Sequence, residues 1–362
     1  MEEVLIVGYT TRQIAQSAVN AGFRVFCLDH FLDLDLLEIV EASALLDEDA
    51  NDFGVGAFLD RLDREIDGII IGSGCEGIRL DERLSRRVIG NSPALMQKVS
   101  DKKYFGKKVI EMGFLHPEIY DRDTIRFPAV LKPRRGGGGL KNIFICERSE
   151  LEALDIDSSE YLIQQYINGI PASVSVISNP DGEVSSYCVN EQLIGTEWLN
   201  APSRFAYCGN IIPLETALED QICKIAEEIV VELGLIGSNG IDFVISGDDI
   251  LVIEVNPRFQ GTIEALEIAT GDNIFDAHVK ACRGEDFEIK KPRRYGMRAI
   301  FYAGEDLVIR EDLRRWGFSD VPEAGRRIEK GKPVVSVSGS SNSRRGVVEK
   351  INFFLSASQL LQ

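Results

Sequence analysis

A lysine followed by a run of glycines lies near the middle of the chain, in segment 127–139. A short apolar run ends at Lys132, and two arginines follow before four consecutive glycines, which are Gly136, Gly137, Gly138 and Gly139. Glycines lack a Cβ atom, so their backbone N–H groups can close over an anionic ligand, and the lysine adds a compact positive charge. The lysine precedes the glycines and β-like runs flank them, which excludes a Walker A loop. The segment is therefore interpreted as a mobile phosphate-binding flap, the alternative being a solvated hairpin tip.

A second group of polar residues lies in a predicted β-hairpin at 241–256. A three-residue turn at 247–249 would place Asp242 directly opposite Glu254. Strand residues two apart point the same way, so Asn256 is expected to share the face of Glu254. The apolar residues that alternate with them are then expected to point into the core, namely Ile253 and Val255.

The chemistry of this hairpin predicts a metal site. Facing carboxylates repel each other unless a cation lies between them. Asp242, Glu254 and the amide oxygen of Asn256 are hard ligands suited to Mg²⁺, with Mn²⁺ as an alternative ion. Arg258 follows at once and can pair with charge that develops on a phosphate or carboxylate. The alternative interpretation is an edge hairpin that carries ordinary surface acids.

The N-terminal part alternates strands with helices and must position a further set of residues. Strands are predicted at 4–7, 24–28 and 68–71, with a helix at 14–21, a pattern typical of a parallel, doubly wound sheet. Ligands bind at the carboxyl ends of such strands, where three polar side chains are candidates for substrate recognition: Arg12, Ser73 and Glu76. The Gly-x-Gly-x-x-Gly fingerprint is missing, which argues against a dinucleotide site.

The remaining sequence predicts elements around the flap and the hairpin. A helix at 100–112 carries Asp101 and Lys102 in its first turn, and a helix at 219–233 stops at a glycine. Further strands are predicted at 162–167, 173–177, 297–303 and 333–337, and a terminal helix at 346–360.

Composition limits the classes of partner. The 362 residues carry a formal net charge of −18, which disfavours nucleic acid and anionic membranes as partners. No apolar run has membrane-spanning length, and no signal peptide is recognisable. The seven cysteines form no Cys-x-x-Cys pair, as expected for reduced thiols in a cytoplasmic protein.

These motifs, in this order, resemble the ATP-grasp superfamily over nearly the whole chain. The resemblance implies an α/β fold in three parts: a Rossmann-like pre-ATP-grasp domain at 1–95, a nucleotide-binding domain at 96–285 and a small C-terminal α/β appendage at 286–362. The nucleotide-binding domain would divide into subdomains at about 96–165 and 166–285.

The resemblance also assigns roles to individual residues. Lys102 and Lys132 look like the two nucleotide-binding lysines, and Arg258 and Lys132 are the expected catalytic residues. The segment that would recognise adenine consists of Gln164, Gln165, Tyr166 and Ile167. The metal ligands would be Asp242, Glu254 and Asn256, within the string Ile-Glu-Val-Asn-Pro-Arg. Pro171 stands where many members have a ribose-binding glutamate, so that contact must come from elsewhere.

More narrowly, the chain resembles prokaryotic ATP-grasp carboligases related to biotin carboxylase. This implies an ADP-forming ligase that uses ATP and Mg²⁺ to activate a small-molecule carboxylate as an acyl phosphate and join it to an amine. One alternative is a carboxylase that activates bicarbonate, and another is a nucleotide-binding protein without turnover. Further candidate substrate contacts are Tyr207, Asn210 and Gln260, and a homodimer is compatible with the resemblance.

Overall fold

The N-terminal part forms the expected parallel sheet. The computed structural model describes residues 1–154, 156–157 and 159–357, so the predicted end of the last helix at 358–360 lies outside the described residues. Four strands pair in the order β3-β2-β1-β4: β1 Glu3–Gly8, β2 Arg24–Asp29, β3 Ala42–Leu45 and β4 Gly68–Ile71. The helices of this part are α1 Arg12–Asn20, α2 Leu34–Leu37, α3 Val55–Leu62, α4 Glu82–Ser85 and α5 Pro93–Val99. Strand β3 is only partly buried and was not predicted, because it lacks the apolar run that identifies its neighbours.

A small antiparallel sheet carries the lysine and the glycines. Its strands pair in the order β5-β8-β6-β7: β5 Ile119–Tyr120, β6 Ala129–Pro133, β7 Ile143–Ile145 and β8 Tyr161–Gln165. The helices are α6 Lys102–Glu111 and α7 Arg148–Glu152. Asp101 was predicted within the first turn of α6, but it is the N-cap, because its carboxylate accepts hydrogen bonds from the backbone N–H groups of Lys103 and Tyr104. Lys102 is therefore the first residue of the helix.

A seven-stranded sheet forms the centre of the molecule, with the order β13-β12-β9-β10-β11-β14-β17. Its strands are β9 Ile170–Ser178, β10 Val184–Ile194, β11 Tyr207–Ile212, β12 Gly237–Ser246, β13 Asp249–Asn256, β14 Tyr295–Tyr302 and β17 Pro333–Ser341. A short separate pair consists of β15 Leu307–Val308 and β16 Arg327–Ile328. The helices are α8 Glu219–Glu232, α9 Ile263–Thr270, α10 Ile274–Cys282 and α11 Arg344–Ala357, with 3-10 turns at Glu197–Leu199 and Leu313–Trp316.

The two faces of this central sheet differ. One face packs against α8 and α11 through apolar side chains such as Val174, Val189 and Ile211. The other face lies towards α9 and α10 and carries polar residues. Strands β14 and β17 continue this sheet beyond β11, so the predicted appendage shares its backbone hydrogen bonding with the middle of the chain. The boundaries of the three domains stay a prediction.

The seven cysteines are free, and five of them are buried. In the part of the chain that the structure describes, no helix combines the length and the apolar character needed to cross a membrane.

A buried ion cluster connects three distant parts of the sequence. The guanidinium of Arg12 lies 2.8 Å from Asp320 Oδ1 and 2.7 Å from Glu264 Oε2. Arg298 donates to Asp320 Oδ2 at 2.5 Å. Because its donors are taken up by carboxylates, Arg12 holds α1 against α9 and the C-terminal segment. The structure shows Arg12 in contact with Asp320 and Glu264. A contact between Arg12 and substrate stays a prediction.

Replacing Arg12 by alanine is expected to destabilise the protein strongly. The side chain is 7% exposed, and its removal takes one of two guanidinium groups away from the carboxylates of Asp320 and Glu264, leaving only Arg298 beside them, which costs about 3–5 kcal/mol. Urea unfolding monitored by circular dichroism measures the loss. Arg345→Ala is the control, because Arg345 pairs with Glu349 on an exposed helix surface and should not change the midpoint measurably. Equal midpoints for the two variants would contradict the connecting role of Arg12.

Candidate active site

The β12–β13 hairpin brings two carboxylates together, by a route that differs from the prediction. The strands pair up to Ser246 and Asp249, so the turn has two residues rather than three. A bulge after Asp242 compensates for the shorter turn and restores the register in which Asp242 lies opposite Glu254. The predicted pairing of the carboxylates is therefore confirmed, although the predicted turn is wrong.

The same bulge changes which apolar residues are buried. Ile253 was expected in the core, but it is only partly buried, whereas Val252 is fully buried. Val255 is buried as predicted. The strand thus changes face at the bulge, which lets Glu254 join the polar face while both strands remain anchored in the core.

Charges around the carboxylate pair are partly compensated by two lysines. Burial raises the pKa of Asp242, and the charge of Glu254 opposite raises it further. Burial also acts to raise the pKa of Glu254, but Lys102 and Lys132 outweigh it and lower that pKa. Lys102 Nζ lies 3.0 Å from Glu254 Oε2. Asp242 and Glu254 together therefore carry one negative charge easily. Ionisation of the second carboxylate costs free energy unless a further cation binds beside them.

The donor set fits a hard divalent cation. Asn256 Nδ2 donates to Asp242 Oδ2 at 3.1 Å, while Asn256 Oδ1 accepts from the guanidinium of Arg258 at 3.1 Å. Ligation by Asn256 Oδ1 thus requires rotation of the amide towards the carboxylates. Among the described residues no group of three His, Cys, Asp or Glu side chains could hold a metal ion, as expected for a site with an amide as its third ligand. Two carboxylates and an amide oxygen match Mg²⁺.

The two predicted nucleotide lysines converge from different elements. Lys132 lies on β6 and Lys102 at the start of α6, and both are buried. Burial lowers the pKa of Lys132 to about 8, although Glu254 attracts its charged form. Lys102 Nζ also donates to the carbonyl oxygen of Gly136 at 2.6 Å, so the same ammonium group contacts the flap and the hairpin.

The glycine flap is folded down onto the start of β11. The backbone N–H of Tyr207 donates to the carbonyl oxygen of Gly138 at 3.1 Å. Gly139 lies so close to the backbone of Phe205 that a Cβ atom would collide with its carbonyl oxygen, and its φ of +70° also favours glycine. The guanidinium of Arg204 lies 3.9 Å from the ring centroid of Phe144 on the far strand of the flap. The glycine segment therefore forms the loop between β6 and β7 and packs against Phe205 and Tyr207, whereas its movement over a phosphate stays a prediction.

The predicted adenine-recognition segment starts at the end of β8. Gln164 is buried, and its amide contacts the imidazole of His116 at 3.3 Å. Gln165 pairs with the backbone of Glu118, Tyr166 packs edge-on against Phe144, and Ile167 follows after the strand. Burial, aided by the charge of Lys132, lowers the pKa of His116 to about 4, so this imidazole is neutral at pH 7. Sequence reasoning missed His116, because a lone histidine has no characteristic spacing.

A narrow cleft joins these parts. Its lining combines the predicted site with the N-terminal crevice, and it includes Glu76, Lys102, Gly136, Gly137, Glu254, Asn256 and Arg258. Glu76 pairs with Arg258 at 2.5 Å, so the crevice of the parallel sheet opens onto the hairpin. The sequence did not identify three further lining residues, Val99, Ser100 and Phe105, because apolar and small residues carry no chemical signature.

The other predicted substrate residues divide into two groups. Tyr207, Asn210 and Gln260 lie together on the polar face: the Tyr207 hydroxyl donates to Asn210 Oδ1, and Gln260 packs over Gly240. Ser73 lies at the end of β4, where its carbonyl oxygen accepts from the backbone N–H of Tyr9. Arg12 is held in the ion cluster described above.

Comparison with known families agrees with this geometry. Residues 99–262 match the profile of the ATP-grasp domain. This chain contains an ATP-grasp domain. The chain is 27% identical over 359 residues to the uncharacterised protein MJ0776 of Methanocaldococcus jannaschii, covering 94% of this chain and 88% of that protein. It is also 24% identical over 235 residues to the carbamoyl phosphate synthase large chain of Rubrobacter xylanophilus, covering 59% of this chain but only 21% of that protein.

Solved structures share the ATP-grasp fold over almost the whole chain. The L-amino acid ligase of Bacillus licheniformis superposes with a TM-score of 0.74 at 18% identity, covering 98% of this chain and 97% of that one. The biotin carboxylase domain of the 2-oxoglutarate carboxylase of Hydrogenobacter thermophilus, solved with MgADP and bicarbonate, gives a TM-score of 0.74 at 15% identity. It covers 98% of this chain and 89% of that one. At these identities the likeness establishes the fold.

Closure of the flap is expected to depend on Gly139. Gly139→Ala should keep the flap from packing on Phe205, and nucleotide affinity should fall about tenfold, equivalent to about 1.4 kcal/mol. Titration calorimetry with ADP and Mg²⁺ measures this. Gly77→Ala is the matched control, because a Cβ at that position would meet no atom within 4 Å and the residue lies outside the flap. If both variants bound nucleotide like the wild type, the contact with Phe205 would have no part in binding.

Proposed function

We propose that the protein is an ADP-forming ligase that uses ATP and Mg²⁺ to activate a small-molecule carboxylate and join it to an amine. The observation that supports this most is the grouping of Lys102, Glu254 and Arg258 on one cleft beside the glycine flap, with Asp242 opposite Glu254 and the charge of Lys132 close to both carboxylates. Each of these groups stabilises negative charge, and phosphoryl transfer depends mainly on such stabilisation and on positioning. The likeness in fold to an L-amino acid ligase agrees with this proposal.

The nucleotide would lie between the small sheet and the central sheet. Lys132 and Lys102 would bind its phosphates, and the glycine flap would exclude water by closing over them. The segment from Gln164 to Ile167 would hold the base, with His116 behind Gln164. Asp242, Glu254 and Asn256 would hold Mg²⁺, which neutralises charge on the transferred phosphoryl group.

The reaction would proceed in two steps. A carboxylate oxygen of the substrate attacks the γ-phosphorus of ATP, the bond to the bridging oxygen breaks, and ADP leaves. The amine nitrogen then attacks the acyl carbon of the acyl phosphate, loses a proton and expels inorganic phosphate. Arg258 lies beside the hairpin with its guanidinium on Asn256 and Glu76, where it can pair with the acyl phosphate.

A carboxylase that activates bicarbonate is the second candidate. Gln260 supports it, because it lies two residues after Arg258 and its amide donates back to the Arg258 carbonyl beside the site. A third candidate is a protein that binds nucleotide without turnover. The lysine-compensated carboxylate pair weighs against the third candidate, because pure nucleotide binding does not require two partly buried acids that face each other.

The three candidates are tested by measuring release of ADP and phosphate. The protein is incubated with ATP and pooled carboxylates, first without and then with added amines. A ligase should release ADP only with an acid present, and product should form only when an amine is added. ADP release that required bicarbonate and no other acid would instead identify a carboxylase. Tight ATP binding without stimulation by any acid or bicarbonate would identify a binding protein.

Glu254→Gln is expected to abolish turnover while leaving the fold intact. The substitution keeps the shape but removes the charge that faces Asp242, so turnover should fall at least about 100-fold. Thermal unfolding with ADP, with and without Mg²⁺, provides a readout independent of activity, because only the wild type should gain stability from the metal. Full activity, or unchanged stabilisation by Mg²⁺, would show that Glu254 is not a metal ligand.

Loss of the buried lysine should weaken nucleotide binding specifically. Lys132→Met keeps an apolar stem of similar length but removes the ammonium group, so affinity for ADP should fall about 10- to 100-fold. Lys141→Met serves as the matched control, because Lys141 is exposed just beyond the flap. Comparable losses in both variants would indicate general attraction by the basic segment instead of a specific phosphate contact.

A further inference from the structure

A continuous row of polar side chains crosses the central sheet, starting from the metal-site hairpin. The strand register aligns Asp242 with Ser173, Ser173 with Asn190, Gln192 with Asn210, and Asn210 with Arg298, which pairs in turn with Ser338. Residues paired in register share a face of the sheet, and so do Asn190 and Gln192, which are two apart on β10. Gln192 joins the row to the hairpin, because its amide donates to Asp242 Oδ1 at 3.0 Å.

Five members of this row have buried polar atoms without a hydrogen-bond partner. Among the described residues ten such side-chain atoms occur, and half of them lie in this row: Ser173 Oγ, Asn190 Nδ2, Asn210 Nδ2, Arg298 Nε and Ser338 Oγ. Asn190 and Asn210 are fully buried, and Arg298 is 4% exposed. The opposite face of the same strands is apolar and well packed. Such a concentration on one face indicates a binding surface, because buried polar groups are normally paired.

The unpartnered atoms define the chemistry of the missing group. The two amide nitrogens and the guanidinium nitrogen can only donate, and the two hydroxyls can donate as well. The carboxylates nearby are already engaged: Asp320 with Arg12 and Arg298, and Glu264 with Arg12. Arg298 Nε lies 3.6 Å from Glu264 Oε2 without making a hydrogen bond. A group that satisfies the row must therefore supply acceptor oxygens, as a carboxylate does through two oxygens at once.

The position of the row determines how long a molecule must be to contact both the hairpin and the unpartnered atoms. Neighbouring strands lie about 4.8 Å apart, so Asn190, two strands from Asp242, is about 10 Å away, and Asn210 on the next strand is about 14 Å away. A molecule with one carboxylate beside Arg258 could place a second one between these two asparagines only if the segment after Arg258 moved, because Asn190 and Asn210 are fully buried and do not line the cleft at Arg258. The segment after Arg258 covers this path: Thr262 contacts Ser175 at 3.0 Å, and Gly261 packs on the Tyr207 ring.

We propose that Asn190, Asn210 and Arg298 bind a second carboxylate of the substrate, so that the acid activated by this protein is an extended dicarboxylate. The inference rests on the proposed function, since it assumes that the first carboxylate is the one phosphorylated. It adds the class of substrate and the residues that select it. Monocarboxylic acids of the same length leave the donors of the row unpaired and bind more weakly.

Asn190→Leu separates a binding role from a structural one. Leucine has a similar size and removes the unpaired donors, so the ligand-free protein should melt at the same temperature or higher, whereas a structural asparagine should be needed for stability. The matched control is Asn239→Leu, because Asn239 is equally buried but its Nδ2 donates to the Gly237 carbonyl oxygen at 2.9 Å. Asn239→Leu should lower the melting temperature. An equal loss in both variants would overturn the proposal.

The second measurement uses a series of probes on the wild type and Asn190→Leu. Succinate, glutarate, adipate, pimelate and suberate are compared with monocarboxylates of matched chain length, by the shift in melting temperature without ATP and by ADP release with ATP. At least one dicarboxylate should stabilise the wild type and stimulate ADP release with a KM at least about tenfold below its monocarboxylate match. Asn190→Leu should raise that KM about tenfold and leave the monocarboxylate value unchanged.

The outcomes distinguish this inference from the proposed function. ADP release that is equally efficient with monocarboxylates and dicarboxylates, and unchanged in Asn190→Leu, overturns the dicarboxylate inference alone. The same holds if no dicarboxylate raises the melting temperature at millimolar concentration, in which case the row binds water only. Absence of ADP release with every acid, despite nucleotide binding, contradicts the proposed function, and a dicarboxylate-dependent shift in melting temperature would still support the row as a binding site.

Discussion

Two carboxylates that face each other in a mostly buried hairpin are the constraint on which the other features of the site depend. Asp242 and Glu254 could not remain together at this depth without nearby positive charge, and Lys102 and Lys132 provide it from two separate elements. Helix α6 must therefore begin where it does, with Asp101 as its cap, and β6 must end beside β12 and β13. The small sheet, the helix and the central sheet are thus positioned around one electrostatic requirement.

Much of this site could be predicted because its residues combine rare chemistry with regular spacing. The glycine run, the lysine before it and the alternation of acids with aliphatic residues after 241 each have a physical interpretation, and the structure brings these parts close to one another. The register of Asp242 and Glu254 was predicted correctly from an incorrect turn, because a bulge offsets the missing residue. Bulges have no reliable local signature in a single sequence, so that compensation could not be foreseen.

Strands β10 and β11 were missed for a reason connected with their role. Their buried face carries Asn190, Gln192 and Asn210 where an ordinary strand would carry valine or isoleucine, so the alternation that predicts strands is broken. The ion cluster of Arg12 could not be predicted from the sequence either, because its partner Asp320 lies 308 residues away along the chain. Local patterns predict elements and nearby chemistry, whereas contacts across the fold depend on how the strands of the central sheet are ordered.

The two contacts of Lys102 connect the glycine flap to the hairpin that carries the carboxylates. One ammonium group holds both the carbonyl oxygen of Gly136 and a carboxylate oxygen of Glu254. If Glu254 binds a divalent ion, as proposed, that ion would displace the ammonium group from this carboxylate, and the displaced charge would need a new anionic partner close by. Under the proposed function that partner is a nucleotide phosphate, so binding of the metal and binding of the nucleotide would each favour the other. The hairpin would thus act as a cation exchanger, in which the ammonium group of Lys102 is the ion that is replaced.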